Sequence, residues 1–232
     1  MTKHRNIIAF IPARSGSKGV KNKNIYKVKD KPLIHYTLSE IPKNINKIYV
    51  SSDSDIILKT AKLHSKKILL TKRPQNLSND HATTDEVLSN FIETKLQTNE
   101  IEINDLILIA QITSPLRKKH HITEAINLYH KHTPSLLASV VKSNLCMQKS
   151  FTKTSENYLS PLTNNLDDAF KPRQKHKQCY FLNGAIYIFS VNNFLEKNHI
   201  PRDNIYPYEM NEQDSIDIDS YDDIKKLNEI LE

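Results

Sequence analysis

Asn6-Ile-Ile-Ala-Phe-Ile11 runs directly into Pro12-Ala-Arg-Ser-Gly-Ser-Lys-Gly-Val-Lys-Asn-Lys-Asn24. The first segment is apolar from Ile7 onward, which predicts a strand covered on both faces, as found inside a parallel sheet. The second offers small residues, Ala13, Ser15, Gly16, Ser17 and Gly19, whose backbone N–H groups can approach a ligand closely. It also carries four cations, Arg14, Lys18, Lys21 and Lys23, to neutralise charge. Exposed N–H groups and cations just after a strand make a phosphate cradle, and the carboxyl edge of a parallel sheet is the expected ligand position. The loop is neither a Walker A sequence nor Gly-x-Gly-x-x-Gly, and its composition also fits an exposed basic turn.

Outward from this segment the pattern repeats. Further strands are expected at Lys47–Ser51, Lys67–Leu70, Leu106–Gln111, Leu136–Val141 and Ala185–Phe189. Helices are expected at Pro32–Glu40, Asp55–His64, Asp85–Leu96, Ile122–Lys131 and Asp222–Leu231. Thr83 and Glu86 have the spacing of a capping box ahead of Val87, Leu88 and Phe91. Strand and helix in alternation predict an α/β fold with a mostly parallel, Rossmann-like central sheet. Residues 142–181 break the rhythm, with Pro161, Pro172 and little periodicity. A forty-residue structureless loop is rare inside a compact domain, so this stretch is expected to be an excursion, either a lid or an arm gripping another subunit.

The chain has 232 residues, which fits one domain over 1–232 that includes the excursion. With 38% hydrophobic and 25% charged residues it has enough apolar surface for a core. No apolar run approaches the roughly eighteen residues of a membrane helix, and Ile7–Ile11 is too short for a signal-peptide core. Cys146 and Cys179 give no disulfide framework, so the expected compartment is the cytoplasm. Average usage would supply roughly sixteen glycines; the three present, Gly16, Gly19 and Gly184, are expected to mark backbone that a side chain would obstruct. Charge is polarised: the first 31 residues hold nine Lys/Arg and one acid, whereas residues 204–232 hold nine acids and two Lys. That asymmetry suggests an anionic ligand at one end and a cation at the other.

Asp214-Ser-Ile-Asp-Ile-Asp219 fits the second role. In an extended chain Asp217 and Asp219 share one face and Ile216 and Ile218 the other. Paired carboxylates suit a hard divalent ion such as Mg²⁺, although a solvated acidic strand face has the same pattern. Gln111-Ile-Thr-Ser-Pro-Leu-Arg117 places polar residues at the edge of the most apolar strand. Arg73–Thr84 is a polar loop able to recognise a base. Lys171-Pro-Arg-Gln174 and Asn183-Gly-Ala-Ile-Tyr187 bring a guanidinium and an amide near the third glycine. The ten His show no zinc-ligand spacing, the two Cys no Cys-x-x-Cys, and no Gly-x-Ser-x-Gly elbow is present.

Taken together, these segments resemble the nonulosonic (sialic) acid cytidylyltransferases, the CMP-sialic acid synthetases and their bacterial relatives. The resemblance rests on Ile11-Pro-Ala-Arg-Ser-Gly-Ser-Lys-Gly19 with Lys23-Asn24, Gln111–Arg117, Pro172-Arg-Gln174, Asn183–Tyr187 and Gln213–Asp219, in family order across almost the whole chain. It implies a three-layer nucleotidyltransferase fold and transfer of CMP from CTP to the anomeric hydroxyl of a nine-carbon α-keto acid, with release of pyrophosphate. By position, Arg14, Ser17 and Lys18 would hold the triphosphate and Lys23 would steady the α-phosphate. Asn24, Arg73, Ala82 and Thr84 would surround cytosine and ribose. Gln111, Arg173, Asn183 and Tyr187 would face the sugar, and Asp217 and Asp219 would hold Mg²⁺. The catalytic set would be Lys23, Arg14 and Asp219, with no clear general base. The family builds a homodimer through the excursion, here residues 142–181, and neither a nucleic acid nor a membrane is an expected partner.

Two departures bear on the sugar. The best-known N-acetylneuraminate enzymes have Arg where this chain has Phe181, and paired aromatics near its Ile200-Pro201. An altered acyl pocket beside an intact nucleotide loop argues for the same reaction on a different sugar, with the diacylamino acids, legionaminic and pseudaminic, as candidates alongside N-acetylneuraminic acid. The alternatives are a cytidylyltransferase for the eight-carbon keto-deoxy sugar and, more remotely, a basic RNA-binding protein, suggested by a pI near 9.2.

Overall fold

The computed structural model describes residues 6–45, 47–143, 145–163 and 165–231; the side chain of Arg173 lies outside the described atoms. The strands are β1 (Ile7–Pro12), β2 (Lys27–Val28), β3 (Lys31–Pro32), β4 (Lys47–Ser52), β5 (Leu69–Lys72), β6 (Leu106–Ile109), β7 (Leu136–Ser143), β8 (Phe151–Lys153), β9 (Leu159–Pro161), β10 (Cys179–Ser190) and β11 (Ile205–Met210). The helices are α1 (Leu33–Ser39), α2 (Asp55–His64), α3 (Thr84–Gln97), α4 (Lys119–His132), α5 (Val191–Lys197) and α6 (Tyr221–Ile230). Four helices start on a hydroxyl cap: Ser54, Thr83, Ser190 and Ser220 each accept a backbone N–H of the first turn. The Thr83–Glu86 capping box is complete.

Seven strands form one sheet in the order β11-β7-β10-β6-β1-β4-β5. Only β10 runs against its neighbours. The apolar run of β1 serves both faces, as its pattern predicts. Ala9 and Ile11 join a core with α1, α2, α4 and α6, while Ile8 and Phe10 join a second core with α3 and α5. Leu106/Leu108 and Ile107/Ile109 of β6 divide in the same way. The result is three layers, helices on both faces of a mostly parallel sheet, as expected.

Several boundaries differ for physical reasons. The outer strand β5 begins two residues later than expected, because the buried Ile68 precedes it and Leu69 and Leu70 are exposed on the sheet edge. The other edge strand, β11, was not expected; it contains Pro207, which an edge strand tolerates and a central one does not. The short α5 also escaped periodicity. Glycine scarcity is met by asparagine: of eight described non-glycine residues with positive φ, five are Asn (Asn22, Asn99, Asn157, Asn198 and Asn204). Within the expected excursion, β7 and β10 continue as a ribbon, pairing Val140–Ser143 with Cys179–Leu182, and β8 and β9 form a separate hairpin.

Candidate active site

The parallel strands β1, β4, β5 and β6 end at one edge of the sheet, where Arg14, Asp53, Arg73 and Gln111 emerge. A cleft of about 370 Å³ opens there, a size suited to a small ligand. Its wall includes Arg14, Ser17, Lys18, Gly19, Lys23 and Asn24 from the first loop, Arg73, Ala82 and Thr84 from the second, Gln111 and Thr113, and Asp219. Segments far apart in sequence therefore converge on one cavity, with every residue assigned by the resemblance to the nucleotide on its wall.

The first loop is held by the rest of the site. The Ser15 amide donates to Asp53 Oδ1 at 2.7 Å, and the Ser15 hydroxyl donates to the other carboxylate oxygen. Burial works to raise the Asp53 carboxyl, but the Ser15 hydrogen bonds and the Arg73 charge outweigh it and hold it below the usual carboxylate range. The Asn24 side-chain amide donates to the Arg14 carbonyl at 2.8 Å, fixing the far end of the loop. Gly19 lies so close to the acidic segment that a Cβ would sit 1.9 Å from the Asp219 carbonyl oxygen, so any side chain would force the two apart. Gly19 thus marks obstructed backbone, as its rarity predicted. Gly16 is required instead by its positive φ of 72°, with open space around it.

The acidic segment is not a sheet strand, although its alternation is present: Ile218 is fully buried and Asp219 exposed. The Ile218 amide donates to the Thr113 carbonyl at 2.8 Å. Lys23 Nζ donates to the Ile218 carbonyl at 2.6 Å and to Asp219 Oδ1 at 3.0 Å, which holds the ammonium toward the cleft. Asp217, unlike Asp219, is not on the cleft wall; it is exposed to solvent yet crowded by protein atoms. That desolvation raises its carboxyl, as does the Asp219 charge, while a hydrogen bond from Thr113 and the Lys23 charge oppose the shift. A cation placed beside the pair would relieve both raising effects. Among the described residues no group of three or more His, Cys, Asp or Glu could hold a metal. A pair of carboxylates is a donor set that a hard divalent ion such as Mg²⁺ accepts when other oxygens and water complete its coordination.

Of the residues assigned to the sugar, Gln111 lines the cleft, whereas Asn183 and Tyr187 stand apart from its wall. Asn183 is buried and its amide is internally committed: Nδ2 donates to Ser215 Oγ at 2.9 Å, and Oδ1 accepts from Ser139 Oγ at 2.6 Å. Tyr187 is half-buried in β10, its phenol raised by burial and by the Asp217 charge. The backbone of Arg173 lies in a 3₁₀ turn, Arg173–Lys175, and its side chain is not described.

Two residues not singled out in the sequence join the site. Asp53 follows the Ser-Ser end of β4, a Ser/Asp cluster at a strand's carboxyl end that carries a usable signal. Asp80 gives no such signal; it accepts from Arg14 Nη1 at 2.7 Å and lies 3.1 Å from Lys18 Nζ. These two cations hold its carboxyl below the usual range. An acid therefore sits on the cations that face the cleft.

A family model described as cytidylyltransferase matches residues 8–231. The chain belongs to the cytidylyltransferase family. Among relatives of this cytidylyltransferase, the N-acylneuraminate cytidylyltransferase of Streptococcus agalactiae serotype V is 30% identical over 93% of the chain. The chain spans about half of that protein's length, 51%. The CMP-N,N'-diacetyllegionaminic acid synthase of Legionella pneumophila is 29% identical over 97% of this chain and 96% of its own. The post-translational flagellin modification protein B of Campylobacter coli is 28% identical over 94% and 92%. In fold, the chain matches a CMP:2-keto-3-deoxy-manno-octonic acid synthetase complexed with CTP, with a TM-score of 0.67, 13% identity and 98% of both chains covered.

Proposed function

We propose that the protein transfers CMP from CTP to the anomeric hydroxyl of a nine-carbon α-keto acid sugar. The sugar oxygen forms a bond to the α-phosphorus, the bond from that phosphorus to pyrophosphate breaks, and the hydroxyl proton is released. The observation that carries this reading is the convergence of Arg14, Lys18, Lys23, Asn24, Arg73 and Asp219 on one cleft of a cytidylyltransferase.

Arg14 and Lys18 meet the outer phosphates, and the loop amides contribute further donors. Lys23, anchored on the Ile218 carbonyl, faces the phosphorus under attack and neutralises charge that grows toward the transition state. Asp217 and Asp219 would hold Mg²⁺, which neutralises phosphate charge and lowers the pKa of the attacking hydroxyl when bound. Arg73, 6% exposed and tied to the Ser51 carbonyl at 3.2 Å, presents a rigid guanidinium to the nucleoside side of the cleft.

Asp80 must leave Arg14 and Lys18 for phosphate to bind. Asp80→Asn is therefore expected to lower the KM for CTP by about two- to fivefold at low salt with kcat unchanged. Steady-state kinetics at two ionic strengths check this; a raised KM would make Asp80 a contributor to binding instead.

Leu145, Tyr158, Leu159, Leu162 and Phe170, between residues 142 and 181, are each at least half exposed. Such an apolar surface is unusual on a monomer and suits a second copy of this chain. Light scattering is expected to show a dimer that Leu162→Asp with Phe170→Asp converts to monomer; a wild-type monomer would contradict it. Among the described residues no helix is long and apolar enough to cross a membrane. A cytoplasmic site of action is part of the same proposal, because CTP is made and used there.

For the sugar, likeness to the Legionella enzyme along 96% of its length and Phe181 in place of a cation favour an acceptor with two acylamino groups. Pyrophosphate release with CTP and Mg²⁺ tests this when N-acetylneuraminic, legionaminic, pseudaminic and keto-deoxyoctulosonic acids are offered separately. Turnover is expected with a diacylamino acid. Preference for N-acetylneuraminate would overturn the sugar assignment, and preference for the eight-carbon acid would overturn the nine-carbon class.

A further inference from the structure

Arg117 is the largest fully buried side chain of the described residues, with no exposed surface. A buried guanidinium normally meets a carboxylate. Here, among the described residues, it forms no ion pair, and Nε and Nη2 have no hydrogen-bond partner. Desolvation pulls its pKa down to about 10, which still leaves it charged at neutral pH. The Glu40 charge offsets only part of this desolvation, and a guanidinium buried without a direct ion pair is costly to fold, so its one bonded nitrogen shows what it is for.

Arg117 Nη1 donates to two carbonyls, Gln111 at 3.0 Å and Ala185 at 2.8 Å. Both belong to irregular backbone beside the cleft. Gln111 follows the end of β6, where the chain leaves the sheet, and its carbonyl also accepts from Thr37 Oγ1 at 3.3 Å. Ala185 lies where the β7–β10 register shifts between Leu182 and Tyr187, which takes its carbonyl out of the ladder. Bulges of this kind re-aim side chains beside active sites. The residue before it, Gly184, has φ +74°, and a Cβ there would stand 2.8 Å from Gln111 Oε1. The Gln111 amide thus rests on the bulge through the missing Cβ, while Arg117 ties Gln111's own carbonyl to that bulge from beneath.

We infer that Arg117 is a positioning residue that, together with Gly184, sets the Gln111 side chain on the acceptor wall of the cleft. Arg117 touches no substrate; it acts through Gln111. This rests on the transferase reading above for its kinetic consequence, but its structural half can be read without turnover.

The experiment compares wild type, Arg117→Lys, Gly184→Ala and Gln111→Ala, and each of the first two variants combined with Gln111→Ala. Arg117→Lys and Gly184→Ala are each expected to lower kcat/KM for the sugar acid at least about tenfold, with the KM for CTP changed less than about threefold. In the Gln111→Ala background either penalty is expected to shrink below about threefold, because the residue acted on is gone. Equal penalties in both backgrounds would overturn the inference, since a generally loosened fold does not depend on Gln111. In parallel, ¹⁵N-glutamine labelling follows the Gln111 side-chain amide, assigned by its loss in Gln111→Ala. One sharp signal is expected in wild type, and a shifted or broadened one in both Arg117→Lys and Gly184→Ala. An unchanged signal in the folded variants overturns the positioning role, and if Arg117→Lys fails to fold, Gly184→Ala decides alone. Absence of wild-type turnover with every acid would instead overturn the transferase reading, leaving the amide signal to judge Arg117.

Discussion

Lys23→Ala is expected to lower kcat by about 10²- to 10³-fold, on the order of 3–4 kcal/mol of transition-state stabilisation, while the KM for CTP stays within a few-fold of wild type. The split follows from where the ammonium is held. In the proposed reaction Arg14 and Lys18 carry the ground-state charge of the triphosphate, and the substitution leaves them untouched. Lys23 is the more enclosed cation, its side chain 13% exposed against 76% for Lys18, and the Ile218 carbonyl sets its direction. A fixed, half-desolvated charge gains more from a developing negative charge than a mobile, solvated one does. Steady-state and single-turnover kinetics check this. A rise in KM alone would reduce Lys23 to a ground-state phosphate contact.

Asp219→Asn is expected to remove Mg²⁺-dependent turnover, at least about a thousandfold, while leaving thermal stability nearly unchanged. Stability should hold because the Asp219 side chain is 77% exposed, and its ion pair with Lys23 has the small value of a solvated pair. What anchors this segment is backbone: the Ile218 amide on the Thr113 carbonyl and the Gly19 packing against the Asp219 carbonyl. Neither contact depends on the carboxylate. The substitution removes one of the two anionic ligands proposed for Mg²⁺, and it also removes the like charge that raises Asp217, so Asp217 should titrate lower in the variant. A thermal melt beside a Mg²⁺ titration of the rate checks both parts. Near-normal rates would remove Asp219 from the metal site.

The fold was largely legible because β1 and β6 are apolar on both faces, which only a strand between two helical layers satisfies. The edges were less legible. Leu69, Leu70 and Pro207 break the usual link between burial and strand pattern, since an edge strand is exposed and needs no complete ladder. In the cleft wall, the first loop and Asp219 were marked in the sequence by rare glycine and clustered charge. Asp80 did not, because its meaning lies in a contact 66 residues away in sequence with Arg14. Asn183 shows how a motif and its packing can carry different messages. Its motif drew a functional reading, and in the fold its amide bonds Ser139 and Ser215 while its Oδ1 also accepts from the Ala185 amide. Arg117 carried only a position at the sheet's edge; that it is fully buried with no direct ion pair among the described residues is a property of packing.

The most direct test mixes purified protein with Mg²⁺, the diacylamino nine-carbon acid and each of the four ribonucleoside triphosphates, and follows products by mass spectrometry. The expected result is a CMP-sugar and pyrophosphate formed in equal amounts from CTP, with the other triphosphates far slower. Binding of CTP without any CMP-sugar from this acid or from N-acetylneuraminic acid would contradict the proposed acceptor. No CTP binding at all would contradict the assignment of the cleft.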